Sequence, residues 1–240
     1  PVHADPWTRE VQASKRGTSV LLLRASKHLA RGRTTAAVEL LEDLRARVPR
    51  DGRVLRKLAA GYTRLERLGD ARDVLRVAVE VEPRDALLRV SLAWALSVTG
   101  DPLGALEELD LALALDTSLA EAYAEQATLL LSLGRFEEVL PVHRRAAEHS
   151  IQLASLEISL GKALTELERL EPALACFELA GRLDHSLVDA WIGQAVVALR
   201  LDRPQQAGRA LGRARSLDPH HTLLPSLSAA LEENAGEHDD

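Results

Sequence analysis

The sequence predicts an all-α protein built from antiparallel helix pairs, and two observations support this fold class. Of the 240 residues, 46% are apolar but only 3% are aromatic, and alanine and leucine dominate the apolar set. Such a composition suits helices that pack closely through small side chains, and it does not suit a β-sandwich. The second observation is that the chain resembles itself every 34 residues, which is typical of stacked helical repeats.

The repeat divides most of the chain into six units without insertion or deletion. These units cover residues 18–51, 52–85, 86–119, 120–153, 154–187 and 188–221. We number the places of each unit from 1 to 34. Small residues recur at place 8, where a longer side chain would hold two helices apart. They are Ala25, Ala59, Ala93, Ala127, Gly161 and Ala195.

Glycine and proline mark the ends of the two helices within a unit. Gly32, Gly100 and Gly134 stand at place 15 and can adopt the left-handed conformation that ends a first helix. Pro49, Pro83 and Pro219 stand at place 32, where proline stops the second helix because it lacks a backbone donor. Each unit is therefore predicted to be a pair of antiparallel helices.

Two departures from the repeat predict local irregularities. In the second unit the glycine, Gly69, comes three residues later than place 15, so we expect a longer first helix or turn there. In the fourth unit Pro141 falls inside the second helix, where a missing backbone hydrogen bond should produce a kink. The array is expected to be least regular around residues 136–151.

The segments outside the repeat have different predicted roles. Residues 222–233 are amphipathic and resemble a capping helix that covers the last apolar face of an array. Residues 234–240 are polar and acidic, and we expect them to be disordered. Residues 1–17 form an N-terminal extension that matches no unit. Its Trp7 and Val11 either pack on the first helix or belong to a tether.

The repeated columns resemble the tetratricopeptide repeat, whose signature places an aromatic residue at place 4 and small residues at places 8, 20 and 27. Tyr123 and Trp191 occupy that aromatic place. The resemblance covers residues 18–221. It implies a right-handed superhelical solenoid in which the first helix of each unit lines a concave groove.

The resemblance also implies which residues face the groove, namely places 2, 5, 6, 9, 12 and 13 of each unit. Trp94 is at place 9 and is expected to anchor a partner; the alternative is that it packs between neighbouring units. Arg53, Arg56, Lys57 and Arg64 would form a basic patch, with Glu121 and Glu125 as an acidic one, unless these are ordinary surface charges. The expected partner-binding residues are Leu22, Arg53, Arg56, Lys57, Val90, Trp94, Glu121, Glu125, Leu131, Ile158, Lys162 and Ile192.

The sequence offers no signature of catalysis, and we expect no catalytic residue, cofactor or metal site. Neither a phosphate-binding glycine loop nor a Gly-x-Ser-x-Gly motif occurs, and the histidines are not at zinc spacing. The lone cysteine, Cys176, lies on a second helix away from the groove. A net charge of −6 argues against a general nucleic-acid binder, although residues 18–85 carry 15 Lys and Arg against 10 Asp and Glu.

These observations predict a non-enzymatic scaffold or adaptor that binds an apolar or amphipathic segment of a partner protein in its groove. Two alternatives stay open: an assembly factor resembling the secretin pilotins of bacterial outer membranes, and an accessory module of a larger enzyme. The groove could also close on itself or join two copies of the chain. A membrane would be involved only indirectly. The compartment stays open, with the cytoplasm slightly favoured over the periplasm, and the ratio of 26 arginines to 4 lysines suggests a bacterium.

Overall fold

The computed structural model describes the backbone of residues 6–236 and the side chains of residues 17–233. This part of the chain contains thirteen α-helices and no strand, which confirms the predicted all-α class. The helices are α1 (Pro6–Ala30), α2 (Thr34–Arg47), α3 (Gly52–Arg64), α4 (Leu68–Val81), α5 (Ala86–Val98), α6 (Pro102–Leu115), α7 (Ala120–Ser132), α8 (Phe136–Glu148), α9 (Ala154–Glu166), α10 (Leu170–Leu183), α11 (Val188–Arg200), α12 (Pro204–Leu217) and α13 (Leu224–Gly236).

The helices form two compact parts, which we call the amino part (through Asp116) and the carboxyl part (from Thr117). In the amino part the fully buried core includes Leu41, Leu55 and Leu109. In the carboxyl part it includes Tyr123 and Phe177. Both cores lie between paired helices, as the antiparallel arrangement requires.

Small residues sit where two helices approach most closely. A Cβ added at Gly161 would lie 2.9 Å from the ring of Phe177, and one added at Gly61 would lie 2.6 Å from Val38. Ala105 and Ala173, both at place 20, are completely buried. The repeated small side chains are therefore required by close packing of neighbouring helices.

Aspartates begin several helices. The Asp51 carboxylate accepts a hydrogen bond from the Arg53 backbone N–H at 3.0 Å, at the start of α3. The Asp85 and Asp101 carboxylates do the same for Leu88 and Gly104, at 3.1 Å and 3.0 Å. Each of these contacts satisfies a backbone donor that has no partner inside its helix.

The residue at place 15 is left-handed in all six helix pairs, whether or not it is glycine. The φ angles are 71° at Gly32, 59° at Glu66, 89° at Gly100, 69° at Gly134, 57° at Glu168 and 55° at Asp202. The expectation of a longer first helix or turn in the second unit is therefore wrong. Helix α3 has 13 residues, as α5 does, because Glu66 makes the turn and Gly69 lies inside α4.

Helix α8 continues through Pro141 without a break, and Pro141 itself is exposed to solvent. The departure from the other pairs lies at its end, where Ser150 is left-handed with φ 59°. Helix α9, the first helix of the fifth unit, still begins at Ala154. The irregularity expected over residues 136–151 is thus confined, in secondary structure, to the connection after α8.

The two ends of the repeat differ from the expected boundaries. Helix α1 begins at Pro6, so part of the predicted extension belongs to the first helix. The side chains of Trp7 and Val11, and residues 1–5, lie outside the described residues. Helix α13 packs on α11 and α12 through Leu224, Leu227 and Leu231. It continues through Gly236, into the segment expected to be disordered, and residues 237–240 lie outside the described residues.

Candidate functional site

In the carboxyl part, α9, α11 and the connection between α12 and α13 enclose a cleft of about 240 Å³, which we call the α9–α11 cleft. First helices supply most of its wall, and α10 contributes Phe177. Its lining residues are Lys162, Thr165, Glu166, Phe177, Asp189, Ile192, Gly193, Val196, Val197, His221 and Leu223.

The floor of the α9–α11 cleft is apolar. Phe177, Ile192 and Val197 are buried beneath it. A Cβ added at Gly193 would lie 2.3 Å from Cε1 of Phe177, so only glycine leaves room for this ring. The missing side chain at Gly193 also keeps the cleft open above the ring. Such a floor can accept an apolar side chain of a ligand.

The rim of the α9–α11 cleft is polar and carries both charges. The Lys162 ammonium donates to the Asp189 carboxylate at 2.7 Å, and both side chains are about half exposed. Such an exposed ion pair contributes little to stability, so either group can exchange its partner for a ligand group at low cost. Nδ1 of His221 accepts a hydrogen bond from the Leu223 N–H at 3.3 Å, which orders the connection.

The cleft brings together two of the predicted groove residues, Lys162 and Ile192, with several that sequence reasoning did not select. Asp189 and Gly193 occupy places 2 and 6, so the repeat register could have identified them. His221 is the last residue of the sixth unit and Leu223 follows that unit, and neither place belongs to the pattern of groove residues.

In the amino part, α5 presents an apolar stripe, which we call the α5 face and define as Leu87, Val90, Trp94 and Val98. Val90 and Trp94 are half-buried, while Leu87 and Val98 are 64% and 44% exposed. Their spacing places all four on one side of the helix. Trp94 therefore has an accessible surface beside exposed apolar neighbours.

Three of the predicted groove residues are buried by the chain itself. Leu22, Ile158 and Ile192 are only 6%, 8% and 6% exposed. Place 5 therefore serves internal packing in these first helices, because neighbouring helices cover it. Leu131 is half-buried on α7.

The arginines of the predicted basic patch already have partners within the chain. Arg53 bonds to the Asp51 carboxylate at 2.7 Å, and its guanidinium holds the pKa of that carboxyl below its usual range. Arg56 pairs with Glu82 and with Asp85. These contacts neutralise much of the charge.

The remaining charged groups of the predicted site occupy different helices. Lys57 is half-buried on α3 in the amino part. On α7, in the carboxyl part, Glu121 is exposed and Glu125 is half-buried. The alternative to a binding patch was that these residues are ordinary surface charges. That alternative accounts well for the arginines, which are paired within the chain.

A buried carboxylate connects three helices of the carboxyl part. Oε1 of Glu157 on α9 lies 2.8 Å from Nε2 of His143 on α8. Burial and the charge of Glu157, to which its thiol bonds, raise the pKa of Cys176 on α10 to about 12. The thiol is therefore protonated near neutral pH and is not an activated nucleophile.

Neither a metal site nor a membrane-spanning helix is found in the part of the chain that the structure describes. Within it, no group of three or more His, Cys, Asp or Glu side chains is arranged to hold a metal ion. None of its helices combines the length and the apolar character needed to cross a membrane.

Comparisons with known proteins identify the fold of the chain. No family model matches the chain, and no curated protein matches it. The crystal structure of PilW, a type IV pilus biogenesis factor, is similar with a TM-score of 0.72 and 18% identity over 88% of this chain and 97% of that one. PilF of Pseudomonas aeruginosa gives 0.69 and 15% over 90% and 99%.

A third similar structure is YrrB, described as a TPR protein with an unusual peptide-binding site. Its TM-score is 0.63, with 19% identity over 80% of this chain and 99% of that one. At these identities the likeness concerns the fold. Together with the 34-residue helix pairs, it shows that the chain has the tetratricopeptide-repeat fold.

Proposed function

We propose that this protein is a scaffold that binds an apolar or amphipathic segment of a partner protein on its first helices. The observation that carries the proposal is the α5 face, where Leu87 and Val98 are exposed on either side of Trp94. Removing a leucine or valine side chain from water is worth roughly 1.5 to 3 kcal/mol. A partner that covers this stripe would gain that energy, and its own anchors would follow helical or extended spacing.

The α9–α11 cleft supports the same proposal in the carboxyl part. Its volume of about 240 Å³ suits one or two side chains of a peptide. Its apolar floor would take an apolar group, and Lys162 and Asp189 would bond to polar groups beside it. Of the predicted groove residues, Val90 and Trp94 belong to the α5 face, and Lys162 and Ile192 line this cleft.

The proposal is tested by photo-crosslinking from the α5 face. A benzoylphenylalanine placed at Val98 should capture a partner, and digestion should identify the captured segment. The matched control places the same group at Leu111, which is similarly exposed but lies on the second helix α6. Equal crosslinking from both positions would indicate nonspecific apolar contact and would contradict the proposal.

A second candidate function is an assembly factor of the secretin-pilotin type. PilW, named as a pilus biogenesis factor, matches this chain over nearly its entire length, although the identity of 18% carries only the fold. This function would require a lipidated cysteine upstream of Pro1. Sequencing the complete reading frame and fractionating membranes from the native host decide between this function and a membrane-independent adaptor.

The third candidate, an accessory module of a larger enzyme, is settled by the same reading frame. An adjoining catalytic domain would support it.

Whether two copies associate through the α5 face is a separate question, which light scattering of the 240-residue chain answers directly.

A further inference from the structure

The outward side of α1 differs from the same side of the other first helices. Val20, Arg24 and Lys27 lie at places 3, 7 and 10, a spacing that puts them on one side of the helix, and Arg31 stands at place 14 in the turn directly after it. Val20 is 66% exposed, and the three basic residues are exposed as well. We call this set the α1 face.

In each helix pair that follows another pair of its own compact part, places 3 and 10 are buried. Place 3 holds Val54 and Leu88 in the amino part, and Leu156 and Ala190 in the carboxyl part, none more than 4% exposed. Place 10 is equally covered. Its residues in these pairs are Gly61, Ala95, Ala163 and Val197.

What covers these places is the second helix of the preceding pair. A Cβ at Gly61 on α3 would lie 2.6 Å from Val38 on α2. At place 7, the Gln194 amide on α11 donates to the backbone carbonyl of Phe177 on α10 at 3.1 Å. In these pairs this side of the first helix receives one further helix, and no such helix covers α1 among the described residues.

The charge of the α1 face indicates the chemistry of its occupant. Arg24, Lys27 and Arg31 follow the apolar Val20 along the chain, and no carboxylate of the described residues pairs with them. An acidic side chain on a helix docked to α1 would also lie near basic groups, as the contacts of Glu42 with the second unit indicate. Glu42 on α2 accepts from Tyr62 at 2.7 Å and lies 3.4 Å from Arg67. The first unit has His28, on α1, and Arg33, in the connection to α2, at those two places.

We propose that the α1 face docks an acidic amphipathic helix of a partner protein, which packs as the second helix of a preceding pair would. Its apolar side would cover Val20, and its carboxylates would face the three basic residues. This docking surface is separate from the α5 face and does not depend on it.

The test uses the 240-residue chain and a synthetic fluorescent peptide with the sequence of residues 102–115. That segment is an apolar second helix with Glu107, Glu108 and Asp110 and no basic residue. Fluorescence anisotropy should show saturable binding that weakens as salt is added. The control peptide carries Gln, Gln and Asn at the three acidic positions and should bind at least tenfold more weakly.

Variants of the chain locate the site. Arg24→Glu with Lys27→Glu should weaken peptide binding at least tenfold, as should Val20→Asp. The matched control is Arg144→Glu with Arg182→Glu, two exposed arginines in the carboxyl part, which should bind the peptide like the wild type.

Three outcomes would overturn the proposal. They are undiminished binding by the Arg24→Glu, Lys27→Glu variant, an equal loss in the control pair, and no peptide binding at all. Binding of the α1 face to vesicles containing one third phosphatidylserine, without peptide binding, would assign the face to a lipid surface and overturn it as well.

Discussion

At the scale of single residues, the turn at place 15 shows that position in the array can override residue preference. Glu66, Glu168 and Asp202 adopt the left-handed conformation that glycine takes at the same place in the other pairs. For an L-residue this conformation costs about 1 to 2 kcal/mol. The packing of two helices on either side of the turn supplies the compensation.

Replacing Glu66 by glycine should therefore stabilise the protein by about 1 kcal/mol, because the exposed carboxylate is lost at little cost and the backbone strain is relieved. Chemical denaturation with urea measures the change. Glu39→Gly is the control, since Glu39 is exposed within α2 and glycine there should destabilise by about 1 kcal/mol. A destabilised Glu66→Gly variant would contradict this explanation of the turn.

The protonation of Cys176 gives a second prediction at this scale. With its pKa raised to about 12, the thiol should react with iodoacetamide at pH 8 more than a hundredfold more slowly than in the unfolded chain. Glu157→Gln removes the nearby charge, so it should lower the pKa of Cys176 and accelerate labelling. Circular dichroism checks that the variant is folded. Rapid labelling of the folded wild-type protein would refute the assignment.

At the scale of helices, the sequence predicted the paired elements well because each column of the repeat has one physical role. The helix starts at Gly52, Ala86 and Ala154 follow from that periodicity. Pro141 was a poor guide, because an exposed proline in a packed helix leaves the secondary structure continuous. Packing of the buried side of α8 keeps the helix continuous, and the helix propensity of single residues does not describe that packing.

The contact of Gly193 with Phe177 is tested by substitution. Gly193→Ala should destabilise the protein by about 1 to 3 kcal/mol, because its Cβ would overlap the ring. Phe177→Leu should recover part of that loss in the double variant, since leucine occupies the same place in four other pairs, at Leu41, Leu75, Leu109 and Leu211. A thermodynamic cycle from urea denaturation measures this coupling.

Gly212→Ala is the control for this cycle. It meets nothing within 4 Å and should be neutral or stabilising, because alanine favours the helix. Additive effects of the Gly193 and Phe177 changes would contradict the proposed contact.

At the scale of the whole molecule, the fold could be predicted from the sequence and the binding surfaces only in part. A 34-residue period specifies the helix pairs, whereas exposure depends on which neighbouring helix covers a given place. Leu22 and Ile192 have the register of groove residues but are buried. The pairing of Arg56 with Glu82 and Asp85 joins residues far apart in the sequence, so no local pattern reveals it.

The central claim is that the α5 face binds a segment of a partner protein through Trp94. It is tested most directly by measuring the affinity of the segment captured at Val98 for wild-type protein and for Trp94→Ala, with Leu111→Ala as control. Loss of an aromatic anchor costs about 2 kcal/mol or more, so the account predicts at least a thirtyfold weaker affinity for Trp94→Ala and none of that loss for Leu111→Ala. Equal affinity of all three proteins would contradict it.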